Sequence, residues 1–561
     1  MSGPTIENRP PTNRLCADLR VSVEEDPVTN RDKQRYRGIR WTFAQLTVLV
    51  CFTAFIGCGT LARGGQSSGS NDPQRLEWPQ PPQAQAFAVD FCLSSFRTDI
   101  RGGNGASAGH ITFSLQQQPF AEPTVRLRND DPEYNKKSPL WSVGLRVLSA
   151  NLVVWGIDRF IFNYPWSHIG PASWKHNLKT GWEWDTDRLG MNYFFHPYSG
   201  AAYFNAARSN GYTYVQSVPF VFMGSLMWEY FGETTLPSYN DIINTMLSGA
   251  LFGEILYRLT SNVLDDRTTG LERFVREFTA AILSPGRAFG RLLQGKLTRV
   301  TPREVYQKEP LNVTLYLGGH LFNEGTRFGT GSPPNMMFGI HLDYGDPFEI
   351  RPRKPFDVFK LRIDLSYGNN VGKKYLDNVT GYGLLFGKTV HSGNWDILIG
   401  AFQHYNYWDS RIFEVAALGI GGGIMTRWQL AKNSNFQSAF HLGIIPLGAS
   451  NSPHVDIVEG GIPGRDYDYS GGAEAKYEGT LNITNRGQLT AIYYLYWLHT
   501  YIGPAGNKIL GIFKPRIAVR VAGYLSVGME YTYYHKDSYL RDFPDVHARN
   551  SEQKIYMMLY F

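Results

Sequence analysis

From Leu311 to Phe561 the chain alternates, residue by residue, between apolar and polar side chains. In FKLRIDLSY, Phe359, Leu361, Ile363, Leu365 and Tyr367 share one phase, and Lys360, Arg362, Asp364 and Ser366 share the other. In MMFGIHLDY, Met336, Phe338, Ile340, Leu342 and Tyr344 oppose Met337, Gly339, His341 and Asp343. LSVGMEYTY and AEAKYEGTLNI repeat the pattern. Successive side chains of a strand point to opposite faces, so a period of two means strands with one greasy and one wet side. Turn-forming stretches such as GSPPN, SGN and NRG punctuate the runs. The pattern divides into about twelve strands, near 311–322, 335–345, 357–368, 379–390, 395–407, 411–429, 435–447, 467–483, 487–502, 507–521, 524–536 and 552–561.

A soluble sandwich also alternates. Three features favour a membrane barrel instead. The apolar phases carry no charge over roughly nine to eleven residues, the length a tilted membrane strand needs. Aromatics recur at strand ends, as in HYNYW, YTYY and YYLYW, which suits interfacial girdles. The chain finishes on EQKIYMMLYF, where Ile555, Met557, Leu559 and Phe561 share a phase. Backbone groups cannot stay unpaired in lipid, so the sheet must close and the last strand must meet the first. An even strand number puts both ends of such a barrel on the periplasmic side.

Ahead of the strands the chain changes character. Trp41–Gly57 is an apolar run preceded by Arg31, Lys33, Arg35, Arg37 and Arg40, and reads as a signal segment within 1–62. The long polar stretch before it suggests a true start near Val28. Thr60-Leu61-Ala62 suits cleavage, while Phe55-Ile56-Gly57-Cys58 leaves lipidation of Cys58 as the alternative. Residues 63–138 form a linker and an irregular region, with GGQSSGSNDPQRLEWPQPPQAQ rich in Gly, Ser, Pro and Gln. Residues 139–300 show a helical period, and 308–561 form the barrel. The expected fold class is α+β: an N-terminal helical module followed by a roughly 12-stranded antiparallel transmembrane β-barrel. A net charge of +6 without a long basic block gives no expectation of nucleic acid binding. The four cysteines imply neither a metal pair nor a disulfide framework.

The helical region contains NYFFHPYSGAAYFNAARSNG, SVPFVFMGSLMWEYFGE and PSYNDIINTMLSGALFGEILYRL. The first has Pro197 at its opening turn and Asn210-Gly211 at its stop. In the third, Ser238 precedes Asp241 by three, a capping-box spacing. Thr245, Gly249 and Gly253 form a small stripe that admits another backbone. These segments, with the upstream NLVVWGIDRFIFN, resemble the bacterial family known as domain of unknown function 3943, over about residues 140–265. The resemblance implies a bacterial envelope protein and no established activity. The final Phe561 is similar to the terminal aromatic signal of bacterial outer-membrane proteins, which implies the barrel-assembly machinery as a partner.

Two groups of residues could carry chemistry. Glu229 and Glu233 stand four apart on one helix face, with Ser225 a turn earlier. Like charges at that spacing repel, so an apolar setting demands a cation, a shared proton or strong donors. With His196 and Asp241 they form a candidate catalytic carboxylate–His set. The blander reading is that Glu229 and Asp241 cap helix ends and pair with Arg208 or backbone donors. Asn244, Glu254, Arg208 and Asp158 are the further polar residues expected to hold a ligand or the helices together. On a helical wheel Glu254 points away from Asp241 and Asn244, so one compact cluster is not expected. The second group is strand-borne: His341, Asp343, His404 and His441, with Lys360, Arg362, Asp364, Glu474, Lys476 and Glu478, in the inward phase. A lumen could bring the histidines together or simply be wet. No G-x-S-x-G or H-E-x-x-H occurs, and neither metal nor cofactor is specified. The leading expectation is an outer-membrane barrel whose helical module, periplasmic or inside the barrel, plugs the pore or binds envelope lipid, with outer-membrane lipid as a partner. The alternatives are a hydrolase of envelope lipid or cell wall and a passive channel.

Overall fold

The alternation resolves into twelve strands in a computed structural model that describes residues 127, 129–324, 334–368, 376–409, 414–452, 454–455, 465–484 and 486–561. The expected signal segment 1–62, the linker up to residue 126 and all four cysteines lie outside the described residues. The first six strands are β1 Leu311–Glu324, β2 Asn335–Tyr344, β3 Phe359–Tyr367, β4 Leu376–Ser392, β5 Trp395–Asp409 and β6 Glu414–Ala431. The remaining six are β7 Ser434–Asn451, β8 Tyr467–Ile483, β9 Gly487–Ile502, β10 Gly506–Ala522, β11 Leu525–Leu540 and β12 Val546–Tyr560. Each pairs antiparallel with its neighbours, and β12 returns to β1 to close a barrel. The seam runs from Thr314↔Tyr560 to Glu324↔Asn550. Val313 and Phe561 extend it by exchanging both backbone hydrogen bonds, at 3.0 and 2.8 Å.

One ion pair fixes which phase faces inward. Lys360 on β3 meets Glu478 on β8 at 2.9 Å. Those strands lie on opposite sides of the ring, so the contact must cross the interior. Lys476 on β8 likewise donates to Asn406 Oδ1 on β5 at 2.8 Å. The charged phase therefore fills the lumen. Deeper along it, Phe348 and Val358 from the β2–β3 connection join Leu384, Leu398, Phe402 and Met425 in an apolar cluster. The other phase puts Leu317, Leu442, Trp497, Ile517, Met529 and Ile555 on the outer wall, exposed. Apolar outside and charged inside is the arrangement lipid demands of a barrel.

Among the described residues, seven α-helices precede the strands: α1 Leu140–Gly156, α2 Pro171–Thr180, α3 His196–Arg208, α4 Tyr214–Phe231, α5 Tyr239–Val263, α6 Gly270–Leu283 and α7 Pro285–Leu293. Single π-helical turns, Ile157–Ile161 and Met191–Phe195, follow α1 and precede α3. The small stripe on α5 does what its spacing implies. A Cβ on Gly249 would lie 2.6 Å from Gly200 Cα, so α3 and α5 touch backbone to backbone. The capping expectation at α5 needs correction. Ser238 is the N-cap residue but its side chain makes no cap bond; its backbone N–H donates to Glu229 Oε2 at 2.9 Å instead. The capping box stands on α4, where Thr213 and Gln216 bond reciprocally.

The module meets the barrel through the outward phase. His404 and Asn406 point inward on β5, so Gln403 and Tyr405 point out. Gln403 accepts from Tyr214 Oη at 2.8 Å and donates to Leu247 O at 2.7 Å. Tyr405 donates to Tyr193 O and packs edge-on against Phe252. On β8, Asn192 Nδ2 donates to Tyr467 Oη at 2.7 Å and Tyr469 Oη at 2.8 Å. These contacts join the helices to outward-phase side chains of β5 and β8.

Candidate functional site

The carboxylate–His set lies where α3, α4 and α5 come together. Glu229 sits on the last turn of α4 and is fully buried. Its Oε2 serves the orphan N–H at the start of α5, while its Oε1 has no partner. Asp241, on the first turn of α5, is also buried. Its Oδ1 accepts from Asn240 Nδ2 at 2.8 Å and lies 3.5 Å from His196 Nε2. His196 opens α3, and its side chain is 19% exposed, which gives the site an edge toward solvent. Asn177 Nδ2 donates to the main-chain oxygens of Glu229 and Glu233 at 3.3 and 3.1 Å and so ties α2 to the end of α4.

Charge is unbalanced here. Burial, then Glu233 and Asp241, push the Glu229 carboxyl well above the usual carboxylate range. Burial, then Asp241 and Asp185, do the same to Glu233. Asp241 rises to about 7: burial lifts it, His196 pulls the other way, and Asp185 and Asp187 add to the lift. Desolvation and like charges both disfavour ionisation. The set can hold protons near neutral pH, or accept a cation that would release them.

The remaining predicted residues fall elsewhere. Arg208 does not serve Glu229 or Asp241. It pairs with Glu254 at 2.7 Å, several helical turns along α5. Glu254 also takes Arg258 at 2.8 Å, and Arg258 reaches Asp357 of the β2–β3 connection at 3.0 Å. This chain is a structural tie between module and barrel. Asn244 accepts from Ser248 Oγ at 2.8 Å, with its Nδ2 unpartnered. Asp158 stands on the π-turn after α1.

The lumen residues form separate groups rather than one site. His341 Nε2 meets Asp364 Oδ1 at 3.1 Å, and Asp343 pairs with Arg362 at 2.5 Å. His404 contacts His441 at 2.7 Å and Glu474 at 2.7 Å. Sequence reasoning missed two neighbourhoods. Asp185 and Asp187, in WEWDTDRLG, add charge to the module's set; their acidic doublet beside aromatics was the available signal. On the barrel, His320, Asp377 and Glu552 converge with ligand atoms within 4.8 Å of one another. Lys554 lies 3.2 Å from Glu552 and Ser366 Oγ 3.0 Å from His320 Nε2, so that group is already satisfied internally.

Comparison with known proteins places the site within a recognised region. Residues 181–286 match the Domain of unknown function (DUF3943). The matched domain contains Glu229, Glu233, His196 and Asp241, begins after α2 and ends just inside α7. No curated protein matches the chain. Among solved structures, the NanC porin shares 10% identity over 44% of this chain and 98% of its own, with a TM-score of 0.25. The outer membrane channel DcaP of Acinetobacter baumannii shares 7% over 45% and 97%, with a TM-score of 0.22. OmpT of Vibrio cholerae shares 8% over 45% and 98%, with a TM-score of 0.18. Scores this low say nothing of what this barrel does; its closure is established by its own strand registers.

Proposed function

We propose that this is an outer-membrane protein whose barrel anchors the helical module in lipid, with the module binding envelope lipid and the lumen closed to bulk flow. The observation that supports this reading is the Lys360–Glu478 pair, which bridges the lumen from β3 to β8 amid other paired charges. An open pore keeps such charges apart and hydrated; here they neutralise one another across the gap. Reconstituted in planar bilayers, the full chain is expected to give no steady current. Stable single-channel conductance from the wild-type protein would sink the anchor reading. Cell fractionation with a heat-modifiability gel tests the location: a closed barrel runs anomalously until boiled.

A second reading, hydrolysis of envelope lipid or cell wall, has one specific observation in its favour. Glu229 keeps a buried carboxylate oxygen without a partner beside the Asp241–His196 pair. A carboxyl whose pKa burial pushes up is suited to act as a general acid. Glu229→Gln with Glu233→Gln is expected to abolish hydrolysis of phospholipid or peptidoglycan while the barrel still shifts on the gel. Unchanged turnover in that variant removes the hydrolase reading.

A further inference from the structure

We infer that α1, α6 and α7 form a lipid-embedded surface, so that the helical module is set into the bilayer alongside the barrel wall; this rests on the outer-membrane reading above. The carrying observation is that α6 and α7 are inside out. A helix on a water-soluble module buries its apolar stripe and shows charge to solvent. On α6, Leu271, Phe274 and Phe278 are exposed at 65, 64 and 57%, while Arg273 and Arg276 are buried. On α7, Phe289, Leu292 and Leu293 are exposed, while Arg287 and Arg291 are buried.

The turned-in charges all find polar partners inside the module. Arg273 meets Asp266 at 3.0 Å and Glu277 at 2.9 Å. Arg291 meets the same two acids at 2.8 and 2.5 Å. Arg276 pairs with Glu272 at 2.9 Å, and Arg287 donates to Ser261 Oγ at 2.9 Å. Burying four guanidinium groups while leaving phenylalanines outside is costly in water. In hydrocarbon it is the favourable arrangement, because charge must face protein and be paired.

Two further facts extend the surface. Leu140–Ile161, comprising α1 and its π-turn, is 22 residues long and apolar enough to cross a membrane. Its Trp141, Leu145, Leu152, Val153, Phe160 and Ile161 are all exposed. α1 also adjoins α7: Arg146 reaches to 3.1 Å from where a Cβ on Gly290 would stand. Single exposed apolar residues are ordinary, but neighbouring helices whose most exposed side chains are apolar mark an interaction surface. The module is already docked on the apolar outer wall of the barrel, which meets acyl chains in the same reading. Acyl chains are therefore the occupant we assign to the helices.

The test uses the full chain in phosphatidylethanolamine–phosphatidylglycerol vesicles. Cys16, Cys51, Cys58 and Cys92 are replaced by Ser, and a nitroxide is attached through Phe278→Cys, Phe289→Cys or Leu152→Cys. Ile517→Cys on the outer wall is the lipid reference, and Asp542→Cys in the β11–β12 turn is the aqueous one. All five sites are exposed, and each variant must still show the heat-modifiable band. Collision with oxygen relative to a nickel chelate is expected to be several-fold higher at 278, 289 and 152 than at 542, matching 517. Lipid-like behaviour at 517 with water-like behaviour at 278, 289 and 152 overturns this inference and leaves the membrane reading intact. Shielding of the three helix sites from both reagents also overturns it, by assigning the surface to a second copy. Water-like behaviour at 517 overturns the membrane reading itself.

Discussion

The lumen and the module's carboxylate set are both buried and both polar, but their charge balance is opposite. In the lumen, acids face bases in pair after pair: Glu478 with Lys360 at 2.9 Å, Glu530 with Arg516 at 2.5 Å, Glu474 with Lys476 at 3.2 Å. In the module, Glu229, Glu233 and Asp241 crowd with Asp185 and Asp187, and His196 stands beside Asp241 alone of these. A paired network in a low-dielectric interior is fixed; removing one partner strands the other. An unbalanced set sits uneasily in the folded state and gains from any proton or cation it captures. The first arrangement is that of architecture; the second is the one we propose as a site.

The largest expected effect tests the architectural half. Lys508 and Asp468 form a fully buried lumen pair. Lys508→Ala leaves the Asp468 carboxylate without its cation, which should cost about 3–5 kcal/mol. The heat-modifiable band should then collapse at a clearly lower temperature. Lys508→Met together with Asp468→Leu removes both charges and should recover most of that loss. A single variant as stable as wild type would mean that the lumen network does not hold the barrel, and the contrast would lose its first term.

The second effect is smaller and has the opposite logic, because here charge itself is the burden. Asp241 holds its proton up to about pH 7, against an ordinary value of 3.8. Between those values the folded module keeps a proton that the unfolded chain has released. Stability is therefore full below about pH 4 and declines as pH rises toward 7, at a slope of at most about 1.4 kcal/mol per pH unit for this group. Glu229 and Glu233 are shifted the same way and add to the decline. Denaturation of the module followed by tryptophan fluorescence should show this slope, and Asp241→Asn should flatten part of it. A profile that rises from pH 4 to 7 would contradict the unbalanced set.

How much of this was legible differs between the same two regions. The strand phases were readable because alternation is local: FKLRIDLSY alone puts Lys360, Arg362 and Asp364 on one side. The outlying ends were harder. β12 begins at Val546 rather than near 552, because VHARNS has no apolar phase to mark it. β11 runs on to Leu540 through HKDSYL for the same reason. The docking was invisible. HYNYW reads as a girdle, yet Tyr405 and Tyr407 are buried, with Tyr405 beneath the helices; the partner, Tyr193, lies over two hundred residues away in the chain. Likewise Glu229 capping α5 depends on a turn between two helices, which no wheel of either helix alone displays. The inverted faces of α6 and α7 were present in GLERFVREFTAAIL as a 3.6-residue pattern, but the pattern does not say which face looks outward.

The smallest expected effect probes the seam between the two regions. Tyr469 Oη, on the outer wall of β8, accepts from Asn192 and donates to Asp185 O at 3.0 Å. Tyr469→Phe removes one hydroxyl and leaves the ring against Trp184. Asn192 keeps Tyr467 as an acceptor, while the Asp185 carbonyl loses its donor and the Tyr467 hydroxyl loses its neighbour at 3.1 Å. The loss should be about 1 kcal/mol, the usual worth of a buried neutral hydrogen bond. It should appear in the module's denaturation midpoint and not in the barrel's heat-modifiable transition. Asp185 also contributes to the field on Asp241. If the hydroxyl merely glues two surfaces together, the pH profile of the variant keeps its shape and drops uniformly. A profile displaced along the pH axis would instead mean that the wall of the barrel sets the electrostatics of the carboxylate set, and the two regions would have to be treated as one site.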